Sequence, residues 1–117
     1  MVEAFVEGLY KGVVEENMEL YQQFFRCDPT EEGTIEHWRR AIGLYDKLDE
    51  KDRKTLLSII ESTIVDSVSN VLAILDGTEG VDGVNLLVKL NGEDCDGELQ
   101  DAFLDYVEEK EARPSDR

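Results

Sequence analysis

A single histidine, His37, stands between Glu36 and Trp38, and it is the first place to look for acid–base chemistry. Glu36 is its immediate neighbour, and on a helix adjacent side chains diverge, so no histidine–carboxylate dyad follows from the spacing. The chain has no Gly-x-Ser-x-Gly elbow, phosphate-binding loop, His-Glu-x-x-His or dinucleotide fingerprint. A lone histidine beside a tryptophan near a helix start is read as structural. No catalytic residue and no cofactor are assigned, and the chain is not expected to be an enzyme.

Oxygen-ligand metal binding is the second chemistry to weigh. Asp76, Glu79 and Asp82 lie in one Gly-rich stretch, and Glu93, Asp94 and Asp96 in another. Hard cations collect carboxylates from such loops. In a calcium-loop register, however, Gly97 at the invariant glycine puts Gly92 first and Phe103 last, and neither supplies a carboxylate. No metal ligand is assigned. Asp76, Glu79, Asp82, Asp94 and Asp96 are instead the candidate acidic partner-binding surface.

A third set lies in an apolar context. Ser62, Asp66, Ser69 and Asn70 interrupt a long hydrophobic helix, and Asp66 shares a face with Ser62 and with Asn70. In a central helix Asp66 would be at least partly buried and would need a partner, such as Arg39, Arg40 or a tyrosine hydroxyl from Tyr10, Tyr21 or Tyr45. Asp66, Asn70, Ser62, Trp38 and Arg39 therefore form a candidate polar pocket. A structural network that fixes helix register is the stronger reading of the same residues.

The elements that must position these groups follow from hydrophobic period. From Val2 to Arg26, apolar residues recur at helical spacing, and Cys27-Asp28-Pro29 ends the run. Gly8 and Gly12, four apart inside it, leave room for a neighbouring helix. A second helix spans 35–48, with Thr34 as its expected N-cap. Asp49, with Asp52 three residues on, opens a third helix that runs to Asp76 and stops at Gly77. This helix is apolar on more than one face, which predicts a central position among the other helices or against a second subunit. After a Gly-rich loop, 84–90 reads as a strand, and Asn91-Gly92 is a hairpin turn signal. Asp96 is the expected cap of a last helix over 97–111, and 112–117 should fray.

The fold predicted is mainly α: one four-helix domain over 1–111, with a long central third helix and a short β-hairpin before the last. Its core should centre on Phe5, Leu9, Phe24, Trp38, Ile42, Tyr45, Leu57, Ile60, Ile64, Val68, Leu72, Leu75, Leu99 and Phe103. The length of 117 residues suits one core without staples. Cys27 and Cys95 share no metal-site spacing and read as two reduced, partly buried thiols.

Charge narrows the partner. The net charge is −16, with residues 61–117 carrying 15 acids against 4 bases. Such a field repels nucleic acid and anionic membrane and attracts basic surfaces. No continuous apolar run approaches a membrane span, and the start lacks a secretion-signal pattern, so a cytoplasmic location is expected.

The segments Asp66-Ser67-Val68-Ser69-Asn70-Val71-Leu72-Ala73-Ile74-Leu75-Asp76-Gly77 and Gly97-Glu98-Leu99-Gln100-Asp101-Ala102-Phe103-Leu104 carry a resemblance. Together they resemble a family of small uncharacterised bacterial acidic helical proteins, over most of the chain as far as Leu104. The resemblance implies a bacterial source and a complete protein, and it brings no activity with it. The leading expectation is a non-enzymatic protein-binding module with a basic protein partner, of the immunity- or inhibitor-like kind. The alternatives are a self-associating structural protein and a small-ligand pocket around Asp66 and Asn70.

Overall fold

The computed structural model describes residues 1–28 and 35–112. The expected Pro29 stop, the Thr34 cap and the 113–117 tail lie outside the described residues. Within them the chain is mainly helical, with a short hairpin before the last helix.

Helix α1 (Val2–Leu9), a π-helical segment (Tyr10–Glu15) and α2 (Glu16–Phe25) form one continuous rod. The joining residues Tyr10 (φ −60°) and Glu16 (φ −65°) keep right-handed helical geometry. The wide turn has a packing reason. Val6, Tyr10 and Val14 are four residues apart and all buried, at 2%, 7% and 1% exposure. In a regular α-helix a four-residue step rotates about 40° past a full turn, and a π turn absorbs that drift. The rod therefore buries Val6, Tyr10 and Val14, while Phe5 and Leu9, expected at the centre of the core, are only half-buried.

α3 (Glu36–Lys47) begins at Ile35, which caps it without a side-chain hydrogen bond. It buries Ile42 and packs on α2 through aromatic rings. Phe25 stacks on Tyr45 at 4.4 Å and 6°, and Phe24 lies 4.6 Å from Trp38. The short corner into α4 is locked by Arg53. Its Nε donates to the Tyr45 carbonyl at 3.0 Å, and its guanidinium sits 4.6 Å over the Tyr45 ring.

α4 (Glu50–Asp76) starts as the sequence indicates: Asp49 Oδ1 accepts the Asp52 N–H at 2.8 Å. It ends at Gly77, whose φ of 83° only glycine adopts freely. The Gly77 and Thr78 amides return to the Ile74 and Ala73 carbonyls, both at 3.1 Å, the pairing of a Schellman stop.

The hairpin is smaller than its sequence suggests. β1 (Lys89–Leu90) pairs antiparallel with β2 (Glu93–Asp94) around Asn91 (φ 52°) and Gly92 (φ 84°), the two positive φ values of a type I′ turn. The expected strand over 84–88 forms no continuous ladder: Val84 bridges Val81, the Val88 carbonyl accepts the Cys95 N–H at 3.1 Å, and after Cys95 the chain turns through Asp96 (φ 53°) and Gly97 (φ 69°) into α5 (Leu99–Glu111). Asp96 is thus a turn residue and not the cap of α5.

α5 lies across α1 and α4 and fills the main core. Leu99 and Phe103 are fully buried, with Val107, Leu72 and Cys95 beside them. Ser69 is the buried polar member, and its hydroxyl accepts from Gln100 Nε2 at 3.0 Å. At its far end α5 is held to the rod by Lys110, 3.5 Å from a Glu15 carboxylate oxygen.

Candidate interaction surface

Asp76 shows how local sequence and tertiary position combine. The Schellman stop fixes it at the end of α4, and the Asp96–Gly97 turn brings the start of α5 against it. Both its oxygens are used: Oδ1 accepts the Leu99 N–H at 3.1 Å and Oδ2 accepts the Gln100 N–H at 2.8 Å. These are free amides of a helix start, where a carboxylate is favoured by hydrogen bonding and by the helix dipole. Asp76 is therefore a cap supplied from another helix, and its carboxylate is engaged within the fold. Glu79, Asp82, Asp94 and Asp96, the other members of the expected acidic surface, are exposed. Asp94 stands opposite Lys89 across the hairpin.

The expected polar pocket does not assemble. Ser62, Asp66 and Asn70 are exposed, because α4 turns its Ser69–Leu72–Ala73 side toward the core. Trp38 is occupied by Tyr21 and Phe24 of α2, and Arg39 is exposed. His37 is exposed too, with its ring 5.1 Å from Trp38. Among the described residues no group of three or more His, Cys, Asp or Glu side chains could hold a metal ion. Both cysteines are free; Cys95 is buried, and Cys27, expected to be partly buried, is exposed.

Besides a hollow of about 460 Å³ over the loop that carries Glu79 and Asp82, two concavities lie between helices. A cleft of about 540 Å³ opens between the rod, α4 and the end of α5, edged by Glu15, Lys54, Glu61 and Lys110. Its charges are mixed, and Lys110 already pairs with Glu15. Lys11, on the solvent face of the rod, has its pKa raised by the hydrogen bond from its ammonium to Glu7 and by that carboxylate's charge.

The second concavity differs in kind. A groove of about 290 Å³ runs between α1 and α4, walled by Phe5, Leu9 and Val13 on one side and Val68, Val71 and Leu75 on the other, with Leu72 at its base. Its polar member is Ser67, and no charged residue lines it. Val71 is 54% exposed. Gly8 and Gly12 adjoin Phe5 and Leu9 on the helix surface, and a Cβ built on either glycine would meet nothing within 4 Å. The neighbouring helix their spacing suggests is thus not supplied by the described chain.

α4 itself is long and apolar enough by length and composition to cross a membrane, with a mean hydropathy of 1.4 over its best window, yet only 22% of that window is buried. Glu61 and Asp66 lie within the helix, and a carboxylate near the bilayer centre costs about 3 kcal/mol. Period marks α4 as apolar on more than one face but does not say which face stays uncovered.

Comparisons with protein families, curated proteins and solved structures gave no match.

Proposed function

We propose that this protein is a non-enzymatic protein-binding module that engages its partner through the face formed by α1 and α4. The observation that carries this reading is the groove: an uncharged apolar channel, open to solvent, on a helix whose apolar window is only 22% buried. Large apolar patches on soluble proteins mark sites where another surface docks. The groove holds no titratable side chain, which suits docking and offers nothing for proton transfer or nucleophilic attack.

The test is a comparison of baits from the native host's lysate. Wild type and Val71→Asp are tagged and incubated with lysate, and the recovered proteins are identified by mass spectrometry. Val71 is 54% exposed, so the substitution leaves the core intact. Proteins held by wild type should be lost from the variant. Identical recovery by both baits would overturn the reading.

A basic partner drawn by carboxylates is the second reading, favoured by the exposure of Glu79, Asp82, Asp94 and Asp96. Under it recovery falls steeply as salt rises, because exposed charges are screened over about 10 Å at 0.1 M. Capture through the groove survives high salt.

A further inference from the structure

We infer that Asn91-Gly92 is a self-modifying site: the Asn91 side chain deamidates through attack by the Gly92 backbone nitrogen, and the isoaspartate that forms opens the hairpin ahead of α5. The site is independent of whatever docks on the α1–α4 face.

The chemistry follows from residue types. The backbone nitrogen after an asparagine can close a five-membered ring on the side-chain carbonyl carbon. Here the Gly92 nitrogen loses its proton and bonds to Asn91 Cγ, the Cγ–Nδ2 bond breaks, and Nδ2 leaves as ammonia. Solvent water then opens the cyclic imide. Addition at Cγ gives aspartate, while addition at the Asn91 main-chain carbonyl carbon gives isoaspartate, whose backbone runs through Cβ and Cγ. A side chain on the following residue crowds the attack, and glycine has none.

Position selects one asparagine of four. Asn17, Asn70, Asn85 and Asn91 are followed by Met18, Val71, Leu86 and Gly92. Asn17 and Asn70 lie inside α2 and α4, where the next amide belongs to the helix ladder. Asn17 Nδ2 also donates to the Val13 carbonyl at 2.7 Å. Asn91 alone joins an exposed turn to a following glycine. In a type I′ turn the flanking residues carry the closing hydrogen bonds, so the Gly92 amide faces solvent. The Asn91 amide is held by little: its Nδ2 donates to Met1 Sδ at 3.5 Å, and a thioether is a weak acceptor.

Attack requires rotation about the Asn91 Cα–C bond, out of the turn geometry. Two residue pairs oppose it, Lys89–Asp94 and Leu90–Glu93. Lys89, Glu93 and Asp94 are exposed and Leu90 is half-buried, so little apolar burial holds the arms together. A hairpin this short is marginal by itself, and such segments open locally without global unfolding.

The two products act differently on the fold. Aspartate keeps the backbone and accepts the φ of 52° at position 91. Isoaspartate lengthens the main chain inside a two-residue turn, so the arms lose their register. Cys95, 3% exposed, follows the second arm directly, and its N–H donates to the Val88 carbonyl at 3.1 Å. Asp96 and Gly97 then turn the chain so that the Leu99 and Gln100 amides meet Asp76. A change at the hairpin tip is therefore felt at the start of α5.

The experiment holds wild type and Asn91→Gln at neutral and mildly alkaline pH, with circular dichroism to confirm that both stay folded. Peptide mapping with electron-transfer fragmentation, which separates isoaspartate from aspartate, follows each asparagine over time. Asn91 should convert several-fold faster than Asn17, Asn70 or Asn85, and faster at the higher pH, because the attacking nitrogen must lose its proton. Ammonia release from Asn91→Gln should fall several-fold. Conversion of Asn91 no faster than that of the other three, or conversion only in urea, overturns the site. The isoaspartate form, isolated by ion exchange, is then compared with Asn91→Asp by amide hydrogen exchange. Exchange at Leu99 and Gln100 should rise several-fold in the isoaspartate form and stay near wild type in Asn91→Asp. Exchange unchanged in the isoaspartate form overturns the opening of the hairpin.

Discussion

Asp76 is the residue on which two helices depend, and removing its carboxylate tests that directly. In Asp76→Ala the Leu99 and Gln100 amides lose their acceptors at the start of α5. Loss of a helix cap costs about 1–2 kcal/mol, and chemical denaturation should show a lower midpoint at unchanged slope. Asp76→Asn keeps one carbonyl acceptor and should fall between. Asp66→Asn is the contrast. Asp66 is exposed, so its substitution should change stability by less than about 0.5 kcal/mol. A cost for Asp66→Asn as large as that of Asp76→Ala would mean that the assignment of cap and surface is reversed. The sequence marks both as acids in or beside an apolar helix. What separates them is a partner 23 residues downstream, brought into place by the turn at Asp96-Gly97, a pair whose aspartate also suits a helix cap.

Among the elements, α5 carries the core and the hairpin positions its start. Phe103 is fully buried at the centre of the cluster formed by the rod and α4, and Phe103→Ala should cost about 3–5 kcal/mol in the same denaturation measurement. Gly92→Ala places a side chain at φ 84° in the hairpin turn and should cost about 1–2 kcal/mol. The elements were legible where one residue type determines the geometry: Asp49 capping α4, Gly77 stopping it, Asn91-Gly92 turning the hairpin. Helix phase was harder. Ile42, Leu72, Leu99 and Phe103 are buried as expected, but the π segment turns Val6, Tyr10 and Val14 inward and leaves Phe5 and Leu9 at the groove. On α4 the apolar residues cover so much of the circumference that period gives no single inward direction. Core and contact face could not be told apart until α5 was seen to cover one side, and the buried polar residue proved to be Ser69 in place of Asp66.

At the scale of the whole molecule, a slab 22 Å thick carries a net charge of −16, and the two facts pull against each other. Apolar burial on the α1–α4 face favours association, while the carboxylates of each copy repel those of the other. Salt weakens the second effect and leaves the first in place, since screening acts on exposed charges and not on buried apolar area. Any self-association through that face should therefore tighten as sodium chloride is raised, and the melting temperature at fixed protein concentration should rise with it, because binding to the folded state stabilises that state. A complex built on Glu79, Asp82, Asp94 and Asp96 meeting a basic surface must behave in the opposite way, its attraction falling as the same ions screen it. One salt titration, read by sedimentation for the protein alone and by capture for a partner, thus assigns each interaction to its face by the sign of its slope. A self-association that weakens with salt would place the contact among the charges and remove the apolar groove from it.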